Sequence, residues 1–336
     1  MKKLLVILIT ILLGVTGCEE RKQIDGNELI VVDVTARYPK KEVALQDILD
    51  VEYIPLETND EFIHQGYLRA IGKNTIVVRN WSRDGDLFIY DRNGKALKKI
   101  NRRGGSNEEY TSATEIILNE ENNELLVCDA LENKIMMYDL EGNFKRRFSL
   151  DPEIDYHGIF SFDRDHLIIN EITFDYEYGV KDTPSFLILS KQDGSLTRTI
   201  NIPFHEKKSF LIIVPEVGVS FPRTYNPVFP YRNGFILTEQ SSDTIYMYST
   251  DHQMTPWVVR TPSIQSMEQE IFLFPTFLTD EYYFLTKVEK VWDFNLRKGF
   301  PNTHVMYDRQ KNALNECVIY NDDFKDKNHW ISHAGL

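Results

Sequence analysis

Short runs of alternating apolar and polar residues make up most of the chain. Five of these runs share one layout, in which an alternating strand ends in Tyr or Leu, turn residues follow, and a second strand returns. The layout is typical of β-hairpins, because successive side chains of a strand point to opposite faces. The five predicted hairpins span residues 87–100, 135–148, 186–200, 245–259 and 304–319.

The hairpins recur at a regular period. The residues that end their first strands lie 48, 51, 59 and 59 positions apart, and they are Tyr90, Tyr138, Leu189, Tyr248 and Tyr307. Another pair of strand-like runs precedes each hairpin, at residues 67–78, 113–128, 158–169, 228–237 and 271–285. Each repeat therefore holds four short strands, and four-stranded repeats of about fifty residues are typical of β-propeller blades.

The predicted fold is all-β, a six-bladed β-propeller of four-stranded antiparallel blades. One blade cannot bury both of its faces, so apolar hairpin residues should pack between neighbouring blades. These residues are Leu87, Ile89, Ile135, Met137, Phe186, Ile188, Ile245 and Met247. No amphipathic helix of more than about a dozen residues is predicted after the N-terminal segment, which argues against doubly wound and barrel enzymes.

The sixth blade needs strands from both ends of the chain. Only 16 residues follow Tyr320, too few for a four-stranded blade. We therefore expect strand-like runs at residues 29–34 and 51–56 to complete a composite, incomplete sixth blade, in a chain truncated after Leu336. The predicted organisation is a signal peptide at 1–17, a tether and N-terminal strand at 18–42, and the propeller at 43–336.

The composition is that of a folded, acidic protein. Its 336 residues are 42% hydrophobic, which is enough for a sizeable core, and its formal net charge is −13. Such a charge repels phosphate backbones and anionic membrane surfaces. We therefore expect no nucleic-acid partner.

The first residues read as a targeting segment. Lys2 and Lys3 precede an apolar run over residues 4–15 that is too short to cross a bilayer as a helix. The run ends in Val15-Thr16-Gly17-Cys18, which resembles the lipobox of bacterial lipoproteins. The resemblance implies a lipidated Cys18 that holds an outer-membrane lipoprotein on one face of the cell envelope. The alternative is an ordinary secretory signal with a chance cysteine.

Two cysteines remain after the targeting segment. Cys128 and Cys317 fall in different repeats, whereas a disulfide requires Cα atoms within about 7 Å. We therefore predict two buried thiols, although an envelope location would permit a disulfide.

Three stretches resemble one protein family: residues 50–58, the hairpin at 90–100, and residues 101–110. They are similar to the six-bladed β-propeller lipoproteins of Bacteroides-type bacteria, and the hairpins resemble NHL repeats. The family's Gly-Arg-Arg-Gly and Glu-Tyr motif is kept here, except that Asn101 replaces its first glycine, as Arg102, Arg103, Gly104, Glu109 and Tyr110. The resemblance implies the fold and the cellular address, and little about activity.

Loops that link consecutive blades, or the second strand of a blade to its third, share one face of a propeller and are its usual binding site. Guanidinium groups there could grip a carboxylate or sulfate while an aromatic ring stacks on a sugar. The predicted ligand-binding residues are Arg102, Arg103, Tyr110, Trp81, Arg83 and His157. Residues 129–133 and Tyr156 should gather on the same face. The alternative is an architectural turn at residues 102–104, with its arginines paired to Glu108 or Glu109.

Other residue groups carry weaker signals. His329 and His333 have the spacing of a shared metal site on a helix, but no acidic partner and no long helix surround them. Asp175 and Glu177 lie among aromatic residues, where a carboxylate pair could act on a glycoside, but they fit a solvated loop better. No cofactor and no metal are therefore predicted.

The predicted function is a non-catalytic, lipid-anchored binding or scaffold module for a glycan, a peptide or a partner protein. The alternative is a propeller enzyme with its site in the central funnel, either a polysaccharide lyase or hydrolase or an NHL-like metal-dependent lyase. A structural subunit of an envelope complex is a third hypothesis, and a large apolar patch on one rim would support it.

Overall fold

All five predicted hairpins are present, each as the third and fourth strands of a four-stranded antiparallel arrangement. They belong to a computed structural model that describes residues 29–80, 84–152, 156–171, 174–175, 179–180, 184–214, 218–222 and 225–324. The strand pairs predicted before the hairpins form the first and second strands of the same sheets. The alternating pattern therefore predicted the strands of these five blades correctly.

The strands follow one another in chain order. Two of them precede the blades, β1 (Ile30–Asp33) and β2 (Lys40–Ala44). Blade 1 consists of β3 (Tyr67–Ile71), β4 (Thr75–Arg79), β5 (Asp86–Asp91) and β6 (Ala96–Asn101). Blade 2 consists of β7 (Glu115–Asn119), β8 (Glu124–Asp129), β9 (Lys134–Tyr138) and β10 (Phe144–Ser149).

Blade 3 contains a small inserted hairpin. Its strands are β11 (Tyr156–Ser161), β12 (His166–Glu171), the inserted β13 (Phe174–Asp175) and β14 (Gly179–Val180), then β15 (Phe186–Ser190) and β16 (Leu196–Ile200). A second small hairpin follows, made of β17 (Ile212–Val214) and β18 (Gly218–Ser220). Blade 4 consists of β19 (Val228–Tyr231), β20 (Gly234–Leu237), β21 (Thr244–Ser249) and β22 (Met254–Thr261).

Blade 5 also carries an insertion. Its strands are β23 (Ile271–Leu278), β24 (Tyr282–Glu289), the inserted β25 (Trp292–Asp293) and β26 (Lys298–Gly299), then β27 (Asn302–Asp308) and β28 (Ala313–Tyr320). Short 3-10 turns occur at Leu45–Asp47, Glu120–Asn122 and Ile264–Ser266. None of the described helices is long and apolar enough to span a membrane.

The prediction of six blades is wrong, because the N-terminal strands do not build a blade of their own. β1 pairs in parallel with β22, with Ile30 opposite Val258, and is the fifth strand of blade 4. β2 pairs in parallel with β28, with Lys40 opposite Glu316, and is the fifth strand of blade 5. The described residues therefore form five blades. The physical reason is that the outermost strand of a blade offers unpaired N–H and C=O groups, and two blades use them to bind these strands.

Residues 48–57 connect blade 5 to blade 1 without forming a strand, although part of this segment was predicted as one. The Tyr53 hydroxyl donates a hydrogen bond to Asp323 Oδ2 at 2.8 Å, just after blade 5. Four residues later, the Glu57 amide donates to the Gly94 carbonyl at 2.8 Å, in the turn of blade 1. The segment therefore links the last blade to the first through one hydrogen bond to each side.

Apolar clusters fill the contacts between neighbouring blades. Separate clusters lie between blades 1 and 2, 2 and 3, 3 and 4, and 4 and 5. All eight apolar residues predicted to pack between blades belong to these clusters, and only Met247 among them is half-buried. Full burial of one such side chain stabilises the fold by about 1.5–3 kcal/mol. Cys128 and Cys317 are free and buried, which confirms their prediction as buried thiols.

Two partly buried histidines bind hydroxyl groups. His64 Nε2 lies 2.7 Å from the Tyr90 hydroxyl, and His304 Nδ1 lies 3.0 Å from Thr286 Oγ1. Burial lowers the pKa of both imidazoles below the ordinary value of 6.5. The unfolded chain therefore takes up these protons before the folded chain does, and folding stability is lost as the pH falls through about 6.5 and below.

The free energy of unfolding should consequently decrease when the pH is lowered from about 7.5 to about 5.5, above the range where carboxylates titrate. Urea denaturation at a series of pH values measures this slope. The His64→Gln, His304→Gln double variant is the control, and its slope should be flatter than that of the parent chain. Equal slopes for the two chains would show that other groups cause the pH dependence.

Candidate functional site

Three small hairpins within the described residues project from one face of the propeller: β13–β14, β17–β18 and β25–β26. Each interrupts a connection from the second strand of a blade to the third, or from a fourth strand to the next blade. In antiparallel sheets with strands in chain order, these connections emerge on the same side. We call this side the loop face. The two longest repeats, of 59 residues, contain β17–β18 and β25–β26.

Residues next to the hairpins β17–β18 and β25–β26 pack in one buried apolar cluster, which we call the base of these hairpins. Phe210, two residues before β17, is fully buried, with its ring edge-on to Phe272 and Phe274 of β23 at centroid distances of 6.3 and 6.4 Å. Phe300, directly after β26, is buried in the same cluster. We call these two hairpins the hairpin pair, since one cluster positions both of them.

Polar contacts also fix this base. Lys207 Nζ and Glu239 Oε2 form a buried ion pair at 3.1 Å. The Phe210 amide donates to Gln240 Oε1 at 3.3 Å, which ties the same segment to the loop after β20. Removing one partner of a buried ion pair leaves an uncompensated charge, so such a pair strongly favours one arrangement of its segment. The base of the hairpin pair is therefore tied to blades 4 and 5 by apolar, ionic and hydrogen-bonded contacts.

The hairpin pair carries large apolar side chains into solvent. The exposed fractions are 60% for Ile213, 51% for Phe221, 69% for Phe294 and 67% for Leu296. Exposed apolar groups on a rigid support are typical of contact surfaces. Sequence reasoning missed this feature. Its signal was the extra length of the last two repeats together with apolar residues inside the polar run 293–298.

The motif around Arg102 forms a compact turn. Tyr110 is fully buried, its hydroxyl donates to the Gly85 carbonyl at 2.6 Å, and the same oxygen accepts a hydrogen bond from the Arg102 amide at 3.1 Å. Arg102 Nε donates to the Gly142 carbonyl at 2.8 Å and so joins blade 1 to blade 2. The hydrogen bonds of Tyr110 and Arg102 therefore stabilise the turn and its contact with blade 2. Arg103 lines a small cavity of about 20 Å³ between these blades.

The side chain of Glu109 stabilises the same turn by binding a backbone amide. Its carboxylate accepts a hydrogen bond from the Ser106 amide at 2.9 Å, and bonds from Ser106 are the main reason that the pKa of Glu109 lies below its usual value. Arg102 lowers this pKa further through its charge. A Cβ atom on Gly104 would overlap the Glu109 carboxylate, so a side chain at this position would have to displace that carboxylate.

Several predicted residues lie outside the part of the chain that the structure describes. They are Cys18, Trp81, Arg83, Glu177, His329 and His333. His157 belongs to β11 and Asp175 to β13, but their side chains are likewise outside the described part. Their roles stay predictions. Among the side chains that are described, no group of three or more His, Cys, Asp or Glu residues is arranged to hold a metal ion.

Three of the residues expected to gather on the loop face meet between blades 2 and 3. Asp129, Asn133 and Tyr156 line one cavity of about 110 Å³, together with Glu115 and Lys134. The first strands of blades 1 to 3 contact one another, β3 with β7 and β7 with β11, so these strands lie nearest the propeller axis. Because Glu115 and Tyr156 begin β7 and β11, the cavity opens on the loop face near the axis.

A larger cavity, of about 370 Å³, lies between residues 34–37 and blade 5. Lys287 Nζ, in its wall, donates to the Ala36 carbonyl at 2.9 Å and to Glu316 Oε1 at 3.4 Å. These contacts match the buried ammonium group with protein oxygens. We therefore assign this cavity to the packing of the N-terminal segment against blade 5.

Comparison with known proteins gives a family match. The model of DUF4934, a domain of unknown function, matches residues 29–261. The match ends at the last residue of β22 and so covers blades 1 to 4 with β1. A search of curated proteins found no match to the chain.

Solved structures from Bacteroides share the fold. A protein of Bacteroides fragilis described as exported is 15% identical, with a TM-score of 0.56 over 86% of this chain and 80% of that chain. A DUF4221 member from Bacteroides vulgatus is 9% identical, with a TM-score of 0.50 over 80% of this chain and 85% of that chain. The predicted resemblance to Bacteroides proteins is thus confirmed at the level of the fold.

Proposed function

The chain belongs to the DUF4934 family, a domain of unknown function, and we propose that it is a non-catalytic binding module whose loop face recognises a glycan, a peptide or a partner protein of the cell envelope. The single observation that supports this most directly is the hairpin pair. It presents four exposed apolar side chains on a base fixed by a buried aromatic cluster and a buried ion pair.

Preorganisation supports binding. Ordering a mobile loop on association costs about 0.5–1.5 kcal/mol for each immobilised side chain, and a rigid support avoids much of that cost. The apolar residues of the hairpin pair are separated by polar and charged neighbours, among them Asp293, Asn295 and Arg297. A surface that mixes apolar and polar groups is typical of recognition sites that associate reversibly.

The direction of β1 supports an anchor on the opposite side. β1 is parallel to β22, which runs towards the loop face, so the chain enters blade 4 from the other side. Cys18 lies 11 residues before Leu29, a distance that an extended chain spans with at most about 40 Å. A lipidated Cys18 would then leave the loop face turned away from the membrane. Mass spectrometry of the mature N-terminus tests the lipid anchor. An unmodified Cys18 would show that the protein has no lipid anchor at this residue.

A binding experiment tests the loop face. The chain is titrated against arrays of envelope glycans and peptides, and its hits are compared with those of a Phe294→Ser, Leu296→Ser double variant. We expect at least about tenfold weaker binding for this variant, because it loses two exposed apolar contacts worth roughly 1 kcal/mol or more each.

The matched control is a Leu97→Ser, Leu196→Ser double variant. These two side chains are similarly exposed but lie on the outer strands β6 and β16, away from the loop face. Binding by the control should stay within about twofold of the parent chain. Equal losses in both variants, or release of a cleaved product from the bound ligand, would contradict a binding module of this face.

A further inference from the structure

The cavity between blades 2 and 3 has two chemically different parts. Its inner wall contains Cys128, Leu150 and Ile159, which are all buried and present a thiol and aliphatic carbons. Its polar lining contains a carboxylate, an amide, an ammonium group and a phenol, from Glu115, Asn133, Lys134 and Tyr156. A group that fits must therefore carry an apolar end and, next to it, both a hydrogen-bond donor and an acceptor.

The polar groups have defined states. Glu115 Oε2 accepts a hydrogen bond from Arg69 Nη2 at 2.5 Å, yet the Glu115 side chain is 52% exposed, so its carboxylate has further lone pairs that face solvent. Burial raises the pKa of Tyr156 to about 12, so the hydroxyl keeps its proton at neutral pH. Lys134 Nζ lies 3.9 Å from the Asp129 carboxylate, which keeps it at the cavity wall.

The volume limits what can enter. A closed apolar cavity of about 150 Å³ accepts benzene, so a cavity of about 110 Å³ admits a smaller group of a few heavy atoms. We propose that this cavity binds the acetamido group of an N-acetylated amino sugar, with the methyl group against the apolar wall. The inference rests on the proposed function and specifies one subsite of it.

The acetamido group matches each part of the cavity. Its N–H can donate to the Glu115 carboxylate, and its carbonyl can accept from the Tyr156 hydroxyl or the Lys134 ammonium group. The adjacent sugar hydroxyls both donate and accept, which suits the amide of Asn133 at the same site. The side chain of Asn or Gln in a peptide fits less well, because its terminal NH₂ would meet the apolar wall without a partner.

Calorimetric titration with two uncharged oligosaccharides tests the subsite. The β-1,4-linked tetramer of N-acetylglucosamine is the probe, and the tetramer of glucose carries hydroxyls in place of the acetamido groups. We expect the glucose tetramer to bind at least about tenfold more weakly. Tyr156→Phe should weaken the N-acetylated probe about fivefold, the usual effect of losing one hydrogen bond.

Two tryptophan variants locate the site. Ala130 is exposed and lines the cavity, whereas its neighbour Leu131 is exposed but does not line it. Ala130→Trp should fill the opening and weaken the N-acetylated probe at least about tenfold, while Leu131→Trp places the same ring on the neighbouring residue and should change binding less than about twofold.

Three results would overturn the subsite: equal affinity for the two tetramers, equal effects of the two tryptophan variants, or tighter binding of an N-acetyl-lysine peptide than of the sugar. If no N-acetylated sugar binds while another ligand still depends on Phe294 and Leu296, the subsite is wrong and the loop-face proposal stands. If the hairpin-pair variants leave all binding unchanged, the hairpin pair is not the contact surface, whereas weaker binding by Ala130→Trp would still support the subsite.

Discussion

Val32→Asp should lower the free energy of unfolding by about 3–5 kcal/mol, the effect of burying a carboxylate in an apolar interior. Val32 is fully buried in β1, where it packs in the cluster between blades 4 and 5 with Ile236 and Trp257. The cation nearest in register is Arg260 of β22, opposite Val32, and it already lies 4.0 Å from the Asp243 carboxylate, so an aspartate would add a second buried carboxylate among apolar side chains. Urea denaturation followed by tryptophan fluorescence measures the change, since Trp257 belongs to the cluster.

Val31→Asp is the matched control for this experiment. Val31 is the preceding residue of the same strand, but 55% of its side chain is exposed. The change adds the same charge and removes the same β-branched side chain, and it should alter stability by less than about 0.5 kcal/mol. If Val32→Asp does not fold, Val32→Ala should still cost about 2 kcal/mol. Equal effects at the two positions would show that β1 is not the fifth strand of blade 4.

Tyr110→Ala should destabilise the protein by about 3–5 kcal/mol, as truncation of a buried aromatic does. Tyr110 packs edge-on against Tyr138 with their ring centroids 6.0 Å apart, and its hydroxyl is bonded to Gly85 and Arg102. Tyr110→Phe keeps the ring but leaves these two backbone groups without that oxygen, at a cost of about 1–3 kcal/mol. Thermal and urea unfolding of the two variants measure the cost of losing the whole side chain and the cost of losing the hydroxyl alone.

Arg103→Ala is the comparison within the same motif. Arg103 lies on the surface of the turn, and its truncation should change stability by less than about 0.5 kcal/mol. The contrast separates the two interpretations of the motif. A Tyr110→Phe variant of unchanged stability that no longer binds a ligand would favour the predicted ligand-binding part of Tyr110 over the architectural one.

The candidate site was predictable only in part. Spacing placed Asp129, Asn133 and Tyr156 on one face, because the side on which a connection emerges follows from strand order. The same reasoning put Tyr110 beside a ligand, although its ring is buried. The sequence shows that an aromatic residue follows a turn, but whether its ring points inward depends on the neighbouring blade. Here the Tyr110 ring packs against Tyr138, and its hydroxyl donates to the Gly85 carbonyl.

The hairpin pair shows the same limit. Phe294 and Leu296 lie in a polar run, and nothing local connects them with Ile213, some eighty positions earlier in the chain. Phe210 and Phe300 bring the two hairpins together by packing in one cluster with Phe272 and Phe274. Such a contact depends on shape complementarity between distant segments, which residue type alone does not specify.

By itself, the sequence determined the four strands of each of the five blades, their pairing into hairpins, the apolar stripes between blades and the burial of both thiols. These features depend on side-chain alternation and on turns of a few residues, which are local. Only the tertiary structure decided the number of blades, the places of β1 and β2, and the surroundings of the cavity lined by Glu115 and Tyr156. Backbone hydrogen bonds are the same at every strand edge, so the partner of a free strand is chosen by the side chains that it meets in space.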